Sequence, residues 1–457
     1  MIYITTKQSP MYHQMSFEEY LFCEVSENYL ISDNTANTKT IVANEVPEKY
    51  LRKIGLTSMF RKLDEFNKAT EAVRSMDRLS LYKTFYTPKH GKGMEALFKG
   101  TFSSQGRYVQ CEAAKVCGSI ARTLMPLLSE HEATEHQKIF NAVEKKYLSI
   151  LKDAGFDIDK VEFNTILKSS YRQINAPKPI LKDALTALKG ILEDDFGLLY
   201  HTSAFAYVKQ RCTVDALRRH QSNESKWYAK FDLSDFFGST TLDFCMKMCA
   251  MIFPLSEIMK TSSGKEAMRK ALELGFLNGG LPQGTPLSPT LTNIIMIPVD
   301  YQLTKAFRDF EGQSYTYTRY ADDFTVSSKY TFNFKKIEQL IVDTLAGFEA
   351  PFTLNYSKTR YGSSAGSNWN LGLMLNKDNK ITVGHENKRK FQAALTSYIL
   401  DAKNGNHWDK SDIQSLDGNR CYYSMVERES IDRIVKHINQ KFGVDVVKMI
   451  KADLRSM

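Results

Sequence analysis

The chain has no long apolar run. Its richest apolar stretch, residues 242–256, is interrupted by Asp243 and Lys247. A membrane-spanning helix needs roughly 18 to 20 predominantly apolar residues in succession, so this pattern argues against a membrane protein. The amino-terminal residues also lack the basic-then-apolar pattern of a secretory signal. We therefore expect a cytoplasmic protein that does not bind membranes.

Cysteine is scarce, with 7 in 457 residues and no Cys-x-x-Cys pair. Cys245 and Cys249 are spaced to share one face of a helix, but two thiols without a histidine or a further cysteine nearby form a weak metal site. Buried free thiols in a reducing compartment are the better interpretation of the cysteines.

A strong excess of charge is also missing. The chain has 61 Lys and Arg against 52 Asp and Glu, a formal net charge of +9. This excess is compatible with a polyanionic partner but does not require one. Its length fits about two to four domain-sized units, and a hydrophobic fraction of 42% supplies a sizeable core.

The first half of the chain predicts a β-hairpin that carries a long insertion. Residues 79–87 and 171–175 have the composition of strands and are followed by turn-forming prolines and glycines. Between them, the block at about 94–168 has apolar residues at helical spacing from residue 111 onward, and we expect a helical insertion. A further helix is predicted through 181–192.

The second half predicts a β-α-β-β-α-β unit with one extra helix. Its predicted elements are a strand at 227–233, a helix at 241–252, a helix from near 286 to about 300, a strand-turn-strand at 315–328, a helix at 333–348 and a strand at 352–356. In the tail after residue 385, the spacing predicts helices over 385–402 and 428–442.

Three acids are placed to meet. Asp232 ends the strand at 227–233, and Asp322 with Asp323 occupies the turn of the 315–328 hairpin. A lone Asp-Asp turn is usually structural, because Asp tolerates tight turns. In a β-α-β-β-α-β sheet, however, the first strand lies beside the central hairpin. The three carboxylates would then share one edge of the sheet.

Clustered carboxylates repel each other unless a cation neutralises them. Carboxylate oxygens suit Mg²⁺, which proteins usually bind together with substrate phosphates. Two such ions about 3.5–4 Å apart can activate a 3′ hydroxyl and stabilise departing pyrophosphate. The acids therefore point to nucleotidyl transfer.

Six segments resemble motifs of reverse transcriptases, in the family's order. KFDLSDFF (230–237), LPQGTPLSP (281–289) and YADDF (320–324) resemble motifs A, B and C. NYSKT (355–359) looks like motif D, and NLGLML (370–375), which contains Gly372, is similar to motif E, the primer grip. YRQINAPKPILKDAL (171–185) resembles the finger motifs of the retron and group II intron branch. The resemblance covers about 76–93 and 169–457.

The resemblance implies a metal centre. Asp232 and Asp322 match the family's two metal-binding acids, and Asp323 matches a third, more peripheral carboxylate. The backbone carbonyl of Leu233 would complete the metal shell. The implied cofactor is a pair of Mg²⁺ ions, with Mn²⁺ as an alternative, and Asp232, Asp322, Asp323 and Lys358 are the implied catalytic residues.

It also implies how a deoxynucleotide is bound. Phe237 matches the bulky residue that blocks a ribose 2′ hydroxyl, and Gln283 and Gly284 match residues against the incoming nucleotide. Arg172 resembles a finger arginine that holds the triphosphate, because a planar guanidinium suits phosphate oxygens. Lys358 matches a motif D lysine that protonates or neutralises pyrophosphate. A strand arginine and a loop lysine are, by themselves, more often simply solvated.

The implied fold is α+β: a right-hand polymerase with fingers, a ferredoxin-like palm and a helical thumb. The expected divisions are an N-terminal extension at 1–75, fingers at 76–225 with the insertion at about 94–168, a palm at 226–384 and a thumb at 385–457. Gly372, Lys388, Arg389 and Lys436 are the expected nucleic-acid contacts. A basic, solvated helix face explains the three cations of this set equally well.

The resemblance favours the bacterial defence-associated enzymes of the retron, abortive-infection and unknown-group types. No segment resembles an RNase H, integrase, protease or HNH nuclease domain. The expected function is an RNA-directed DNA polymerase that copies a dedicated non-coding RNA into DNA from dNTPs, in anti-phage defence. The extension and the insertion are expected to bind that RNA, a partner protein or a second copy of the chain.

Two alternatives stay open. One is a template-independent or protein-primed DNA polymerase of the abortive-infection type, since 23 tyrosines offer priming hydroxyls. The other is a nucleic-acid-binding module that keeps the polymerase fold without its activity.

Overall fold

The computed structural model describes residues 30–32, 39–41, 56–88, 171–196, 200–253, 255–356, 358–364 and 372–456, with isolated positions between 131 and 149. Its helices and strands are β1 (Leu30–Ser32), β2 (Lys39–Ile41), α1 (Leu56–Ala69), α2 (Glu71–Arg74), β3 (Tyr82–Pro88), β4 (Tyr171–Pro177), α3 (Pro179–Phe196), α4 (Thr213–Ser222), β5 (Trp227–Asp232), α5 (Phe236–Ser239), α6 (Leu242–Cys249), α7 (Leu255–Ile258), α8 (Ser262–Glu273), α9 (Leu287–Ile295), α10 (Ile297–Phe307), β6 (Thr316–Tyr320), β7 (Asp323–Ser328), α11 (Phe334–Gly347), β8 (Arg360–Ser363), β9 (Met374–Leu375), β10 (Ile381–Thr382), α12 (His385–Lys403), α13 (Lys410–Phe442) and α14 (Val446–Ser456).

The chain divides into two compact units. The first unit comprises Met1–Thr202, Leu233–Val299 and Asp343–Ser357, and the second comprises Ser203–Asp232, Asp300–Val342 and Lys358–Met457. In the first unit, β3 and β4 form the predicted antiparallel hairpin, in register from Tyr82 opposite Pro177 to Pro88 opposite Tyr171. Helix α3 packs against α1 and α9. It does so through the predicted apolar stripe, all buried: Leu181, Leu185, Leu188 and Leu192.

The second unit contains a four-stranded antiparallel sheet with the strand order β6-β7-β5-β8. The predicted pairing of the 227–233 strand with the 315–328 hairpin is therefore confirmed. One face of the sheet buries the apolar side chains of Phe231, Phe324 and Val326. The Phe334 ring stacks on Phe231 there, with the ring centroids 5.3 Å apart.

The opposite face of the sheet is polar and is covered by α4. His220 is completely buried there, with Nδ1 at 2.6 Å from the Ser327 hydroxyl and Nε2 at 2.8 Å from the Thr318 hydroxyl. Burial lowers the pKa of His220 to about 3, so the ring is neutral in the folded chain. Both ring nitrogens are satisfied, and α4 is thereby fixed on the sheet.

The C-terminal helices α12, α13 and α14 share one apolar core. It is built from Phe391, Leu395, Tyr398, Ile399, Ile413, Leu416, Ile431, Ile438, Val446 and Ile450. Helix α13 is interrupted at Glu427, where the backbone leaves helical geometry with φ −147° and ψ 62°. Glu427 accepts hydrogen bonds there from Thr382 at 2.6 Å and Lys388 at 2.7 Å. The helix predicted at 428–442 corresponds to the part of α13 after this kink.

Four predicted elements need correction. The strand predicted at 352–356 is wrong: only an isolated bridge joins Leu354 to Leu233, and β8 closes the sheet instead. Phe352 in this segment packs on the rings of Phe236 and Phe244 instead of on a neighbouring strand. The helix expected from 286 to 300 is two helices, α9 and α10, which continue to Phe307, and α13 begins at Lys410 rather than at 428. Residues 79–81 form a 3₁₀ turn before β3.

Some predictions fall outside the described residues. These are the insertion at about 94–168, apart from isolated helical positions, and most of the extension at 1–75.

Cys245 and Cys249 are buried free thiols as expected, whereas Cys421 is exposed. Within the described ranges, no helix combines the length and the apolar character needed to cross a membrane.

Candidate active site

Strands β5 and β7 bring the three predicted acids to one edge of the sheet. Asp232, the last residue of β5, lies directly opposite Asp323, the first residue of β7. Residues opposite each other in antiparallel strands have Cβ atoms about 4.5–5.5 Å apart on one face of the sheet. Asp322 precedes Asp323 in the turn. The three acids, here called the acid cluster, therefore lie at one edge of the sheet, as the sequence predicts.

The turn between β6 and β7 is tight. Tyr320 pairs with Asp323, so only Ala321 and Asp322 connect the two strands. Ala321 adopts φ 57°, a left-handed conformation that residues with a side chain rarely take. A positive φ at the first central position suits the twist of a two-residue hairpin. The turn thus holds Asp322 beside the end of β5, and the backbone of Ala321 is strained as a result.

Burial and mutual repulsion make the ionised form of the cluster unfavourable. Burial, together with the neighbouring Asp323 and Asp232 carboxylates, raises the pKa of Asp322 to about 6. Burial also raises the pKa of Asp323, although Lys230 opposes this shift. Acids held together in this way gain from a nearby positive charge.

Two lysines supply positive charge to the cluster. Lys358 Nζ donates to both carboxylate oxygens of Asp232 at 2.9 Å, and Lys230 Nζ donates to Asp323 Oδ2 at 2.7 Å. The two differ in exposure, because the Lys358 side chain is 55% exposed and that of Lys230 is 16% exposed. In the described part of the chain, no group of three or more His, Cys, Asp or Glu side chains is arranged to hold a metal ion. Two of the three carboxylates are bonded to ammonium groups instead.

Sequence reasoning missed Lys230. It precedes Asp232 by two positions in β5, so both side chains stand on the same face of the strand. Lys230 lies opposite Thr325, one diagonal position from Asp323, within reach of a long side chain. The period of two in a strand is the signal that could have identified it. Asp300 and Arg319, also missed, form a buried ion pair beside the turn.

The predicted nucleotide-binding residues all belong to the first unit. Gln283 and Gly284 lie against β4, since the Asn175 backbone amide donates to the Gln283 carbonyl at 2.8 Å. Gly284 has φ 106°, and a Cβ there would lie 2.7 Å from Ile174 Cγ2. Only glycine fits this backbone approach. Arg172 is exposed on the same strand.

Phe237 and Leu233 lie on the segment after β5. Phe237 is half-buried in α5, with its ring centroid 5.7 Å from that of Phe236. Leu233 is buried and bridges to Leu354. The roles of these two residues in binding a nucleotide and a metal stay predictions.

Two of the predicted nucleic-acid contacts lie in a basic cleft between α12 and α13. The cleft, of about 350 Å³, is lined by His385, Lys388, Arg389, Gln392, Ser430, Arg433, Ile434 and His437. Lys436 is exposed on α13 and is not part of this lining, and Gly372 lies in the turn before β9 with φ 88°. The cleft therefore contains Lys388 and Arg389 but not Lys436 or Gly372.

Comparison with known proteins agrees with these motifs. The family model for reverse transcriptase (RNA-dependent DNA polymerase) matches residues 153–392, more than half of the chain. The retron Ec83 reverse transcriptase of Escherichia coli is 28% identical over 302 residues, 65% of this chain and 89% of that protein. The retron Mx65 reverse transcriptase of Myxococcus xanthus is 24% identical over 371 residues, 77% of this chain and 82% of that protein.

Among solved structures, telomerase from Candida albicans in complex with a fragment of telomeric RNA overlaps 62% of this chain and 62% of its own. The sequence identity is 11% and the TM-score is 0.38, too low to carry any argument. The family assignment rests on the match over 153–392 and on the retron enzymes, which are similar over most of their own length. The chain therefore belongs to the reverse transcriptase family and is an RNA-directed DNA polymerase that is similar to bacterial retron enzymes.

Proposed function

We propose that this reverse transcriptase uses the acid cluster to add dNTPs to a 3′ or priming hydroxyl, copying a cognate non-coding RNA in bacterial anti-phage defence. The observation that carries the site assignment is the placement of Asp232 opposite Asp323, with Asp322 in the adjoining turn. The similarity to retron enzymes supports the choice of a dedicated RNA as template.

The chemistry of the donor set suits divalent metal ions, because it consists of hard carboxylate oxygens in a partly buried cluster, and Lys358 would have to release Asp232 for a metal to bind. Asp232, Asp322 and the Leu233 carbonyl would hold Mg²⁺, with Mn²⁺ as a substitute. A pair of such ions supplies activation of the attacking hydroxyl and neutralisation of the leaving pyrophosphate. Asp323 is bonded to the less exposed lysine, Lys230, and we assign it the peripheral position.

For the remaining predicted residues we propose the roles that the motifs imply. Lys358 is an exposed ammonium suited to the departing pyrophosphate, and Arg172 is an exposed guanidinium suited to the triphosphate. Phe237 excludes a 2′ hydroxyl, while Gln283 and Gly284 contact the nucleotide. The proposed division of the right-hand fold is fingers at 76–225, palm at 226–384 and thumb at 385–457, after an extension at 1–75.

The basic cleft supports a nucleic-acid-binding role for α12 and α13. Within its lining, Lys388 is bonded to Glu427 at 2.7 Å, so part of its charge is neutralised. Arg389 and Arg433 are exposed and carry guanidinium groups that suit phosphate oxygens. We propose that the cleft, together with Lys436 and Gly372, binds the template-product strands. The extension and the 94–168 insertion are proposed to bind the cognate RNA, a partner protein or a second copy of the chain.

The site assignment is tested with Asp232→Asn and Asp322→Asn, which remove a charge at constant shape. Each substitution should lower Mg²⁺-dependent dNTP incorporation on an RNA template by about 10³-fold or more and leave RNA affinity unchanged. Glu224→Gln is the matched control, because Glu224 is an exposed acid bonded to Lys329 in the same unit. Incorporation at the wild-type rate by either Asn variant would refute the assignment.

The template and primer are tested by sequencing the RNA and the DNA that copurify with the enzyme. A cognate template predicts one RNA species and DNA complementary to it. DNA without a complementary RNA would contradict templated synthesis. DNA that stays attached to the protein after nuclease treatment of the RNA would identify a protein hydroxyl as the primer.

The basic cleft is tested by the salt dependence of RNA–DNA binding. Arg389→Gln with Arg433→Gln should lower the slope of log affinity against log salt by about two, because each substitution removes one cation that neutralises a phosphate. Lys451→Gln, on the exposed face of α14, is the control and should leave the slope unchanged. An unchanged slope in the double variant would exclude the cleft.

A further inference from the structure

A completely buried ion pair lies beneath the turn that carries Asp322. Arg319 of β6 donates through Nε and Nη2 to the two carboxylate oxygens of Asp300, at distances of 2.7–3.0 Å. Tyr317 Oη donates to the same carboxylate at 2.8 Å. Both partners of the pair are 0% exposed. Asp300 lies in the first turn of α10, where the helix dipole favours a negative charge.

This pair reaches the acid cluster through one hydrogen bond. Arg319 Nη1 donates to the backbone carbonyl of Ala321 at 3.1 Å. That carbonyl belongs to the same planar peptide unit as the amide of Asp322. A hydrogen bond that fixes the Ala321 carbonyl therefore also fixes the plane of the peptide unit that precedes Asp322.

The turn needs such a constraint. Ala321 has φ 57°, and an L-residue in the left-handed region costs about 1–2 kcal/mol. The carboxylates that follow also repel each other, which favours any alternative turn that separates them. The Arg319 backbone is held as well, since its amide donates to the Ser203 carbonyl at 2.7 Å and its carbonyl accepts from the Phe205 amide at 2.9 Å. A rigid strand end thus supports a strained turn.

Stability alone is a poor explanation for this pair. A buried ion pair is often no more stabilising than apolar residues of the same volume, because both charges lose their hydration. The geometry of the pair is harder to replace. Only a guanidinium can donate two hydrogen bonds to one carboxylate and keep a third N–H for the Ala321 carbonyl.

We propose that Arg319, held by Asp300 and Tyr317, is a positioning residue that sets where the Asp322 carboxylate stands relative to Asp232. This inference rests on the proposed role of Asp322 in binding Mg²⁺. It assigns to the buried pair a function in metal affinity and turnover that is separable from stability.

The key variant replaces the whole buried group by apolar residues: Tyr317→Phe, Asp300→Leu and Arg319→Met together. No buried charge is left unpaired, so the thermal unfolding midpoint should stay close to that of the wild type or rise. The half-saturating Mg²⁺ concentration for dNTP incorporation should nevertheless rise by about tenfold or more, the equivalent of about 1.4 kcal/mol. The Mg²⁺-induced increase in the unfolding midpoint, measured with Mg²⁺ alone, should shrink in parallel, with RNA affinity unchanged.

Arg319→Lys is the second variant, in case the triple variant fails to fold. It keeps the charge beside Asp300 but cannot form the fork and reach Ala321 at once, so it should show the same rise in half-saturating Mg²⁺. A triple or Lys variant that folds and responds to Mg²⁺ like the wild type would overturn the proposal.

Asp322→Asn, measured in parallel, separates this inference from the site assignment. If Asp322→Asn is inactive while the Arg319 variants behave as wild type, only the positioning role fails. If Asp322→Asn keeps full incorporation, the site assignment fails, and the positioning role fails with it.

Discussion

Lys358 Nζ lies 2.9 Å from each of the two carboxylate oxygens of Asp232. The ammonium group therefore occupies the oxygens that we propose as metal ligands. Since the Lys358 side chain is 55% exposed and that of Asp232 is 8% exposed, the lysine is the partner that can move away. Under the proposed mechanism, Lys358 thus has two alternative anionic partners, the Asp232 carboxylate and a departing phosphate.

Lys358→Met should lower the rate of dNTP incorporation by about 10²-fold to 10⁴-fold, the usual contribution of a positioned general acid. Half-saturating Mg²⁺ should not rise, because the competing ammonium is gone. Single-turnover incorporation across pH measures both effects, and Lys335→Met on exposed α11 is the control. Lys358→Arg keeps the charge but cannot release a proton, so its rate should also fall. A wild-type rate in Lys358→Met would show that Lys358 takes no part in the reaction.

Lys230→Met should destabilise the protein in EDTA and much less in Mg²⁺. The substitution leaves Asp323 without its ammonium partner in a cluster of like charge, a loss of about 1–3 kcal/mol in the free energy of unfolding. Denaturant unfolding with and without Mg²⁺ measures the difference. Lys329→Met breaks an exposed pair with Glu224 and should have little effect in either condition. Equal destabilisation of Lys230→Met in EDTA and Mg²⁺ would contradict the link between Lys230 and the cluster.

Phe237→Ala should relax the selection against ribonucleotides. Removal of the aromatic side chain opens space at the sugar, and the preference for dNTP over rNTP should fall by about tenfold to 200-fold, the range typical of steric selection in a pocket. The ratio of kcat/KM for dGTP and GTP measures it. Phe237→Tyr keeps the bulk and should keep the preference. An unchanged preference for dNTP over rNTP in Phe237→Ala would show that the sugar of the nucleotide does not lie against Phe237.

Gly280→Ala should destabilise the first unit. A Cβ at Gly280 would lie 2.1 Å from the backbone oxygen of Gly238, and neither backbone segment can yield as a side chain would. We expect a loss of about 1–3 kcal/mol in the free energy of unfolding, the usual effect of overpacking. Gly190→Ala is the matched control, because its Cβ meets nothing within 4 Å in helix α3, and it should be neutral or stabilising. A neutral Gly280→Ala would show that the two segments separate easily.

His220 should make the protein less stable as the pH falls. The folded-state pKa is about 3, below the ordinary value of 6.5, so between these limits the unfolded chain binds a proton that the folded chain does not. The contribution is fully present above pH 6.5, and the free energy of unfolding then falls by up to about 1.4 kcal/mol per pH unit on acidification. Denaturant unfolding at several pH values measures the slope. In His220→Gln the slope between about pH 6.5 and 4 should be smaller, and an unchanged slope would assign it to other groups.

Local patterns were sufficient to predict most of the elements. The apolar spacing of α3 and the aromatic, β-branched composition of β5, β6 and β7 are local signals, and the convergence of Asp232 with Asp323 followed from the topology. The strand predicted at 352–356 was wrong because a short apolar segment does not reveal what its side chains pack against. Phe352 contacts aromatic rings of α5 and α6 rather than a neighbouring strand.

The buried polar contacts could not be predicted in the same way. Asp300 lies in a different element 19 residues before Arg319, and His220 lies 98 and 107 residues before Thr318 and Ser327. A helix acid, a strand arginine and a helix histidine are each typical of a solvated surface. These side chains become buried partners only when α4 and α10 pack on the completed sheet.

In the hairpin of β3 and β4, the two strands are connected by residues 89–170. Its seven-residue ladder and the bond from the Lys178 amide to the Leu81 carbonyl set the alignment of the two strands at the end remote from that connection. Lengthening a two-residue turn to this size is about five doublings, which adds only about 3 kcal/mol of closure entropy. The hairpin is therefore a place where evolution can graft, exchange or enlarge a segment at little thermodynamic expense, and where an engineer can attach a foreign domain.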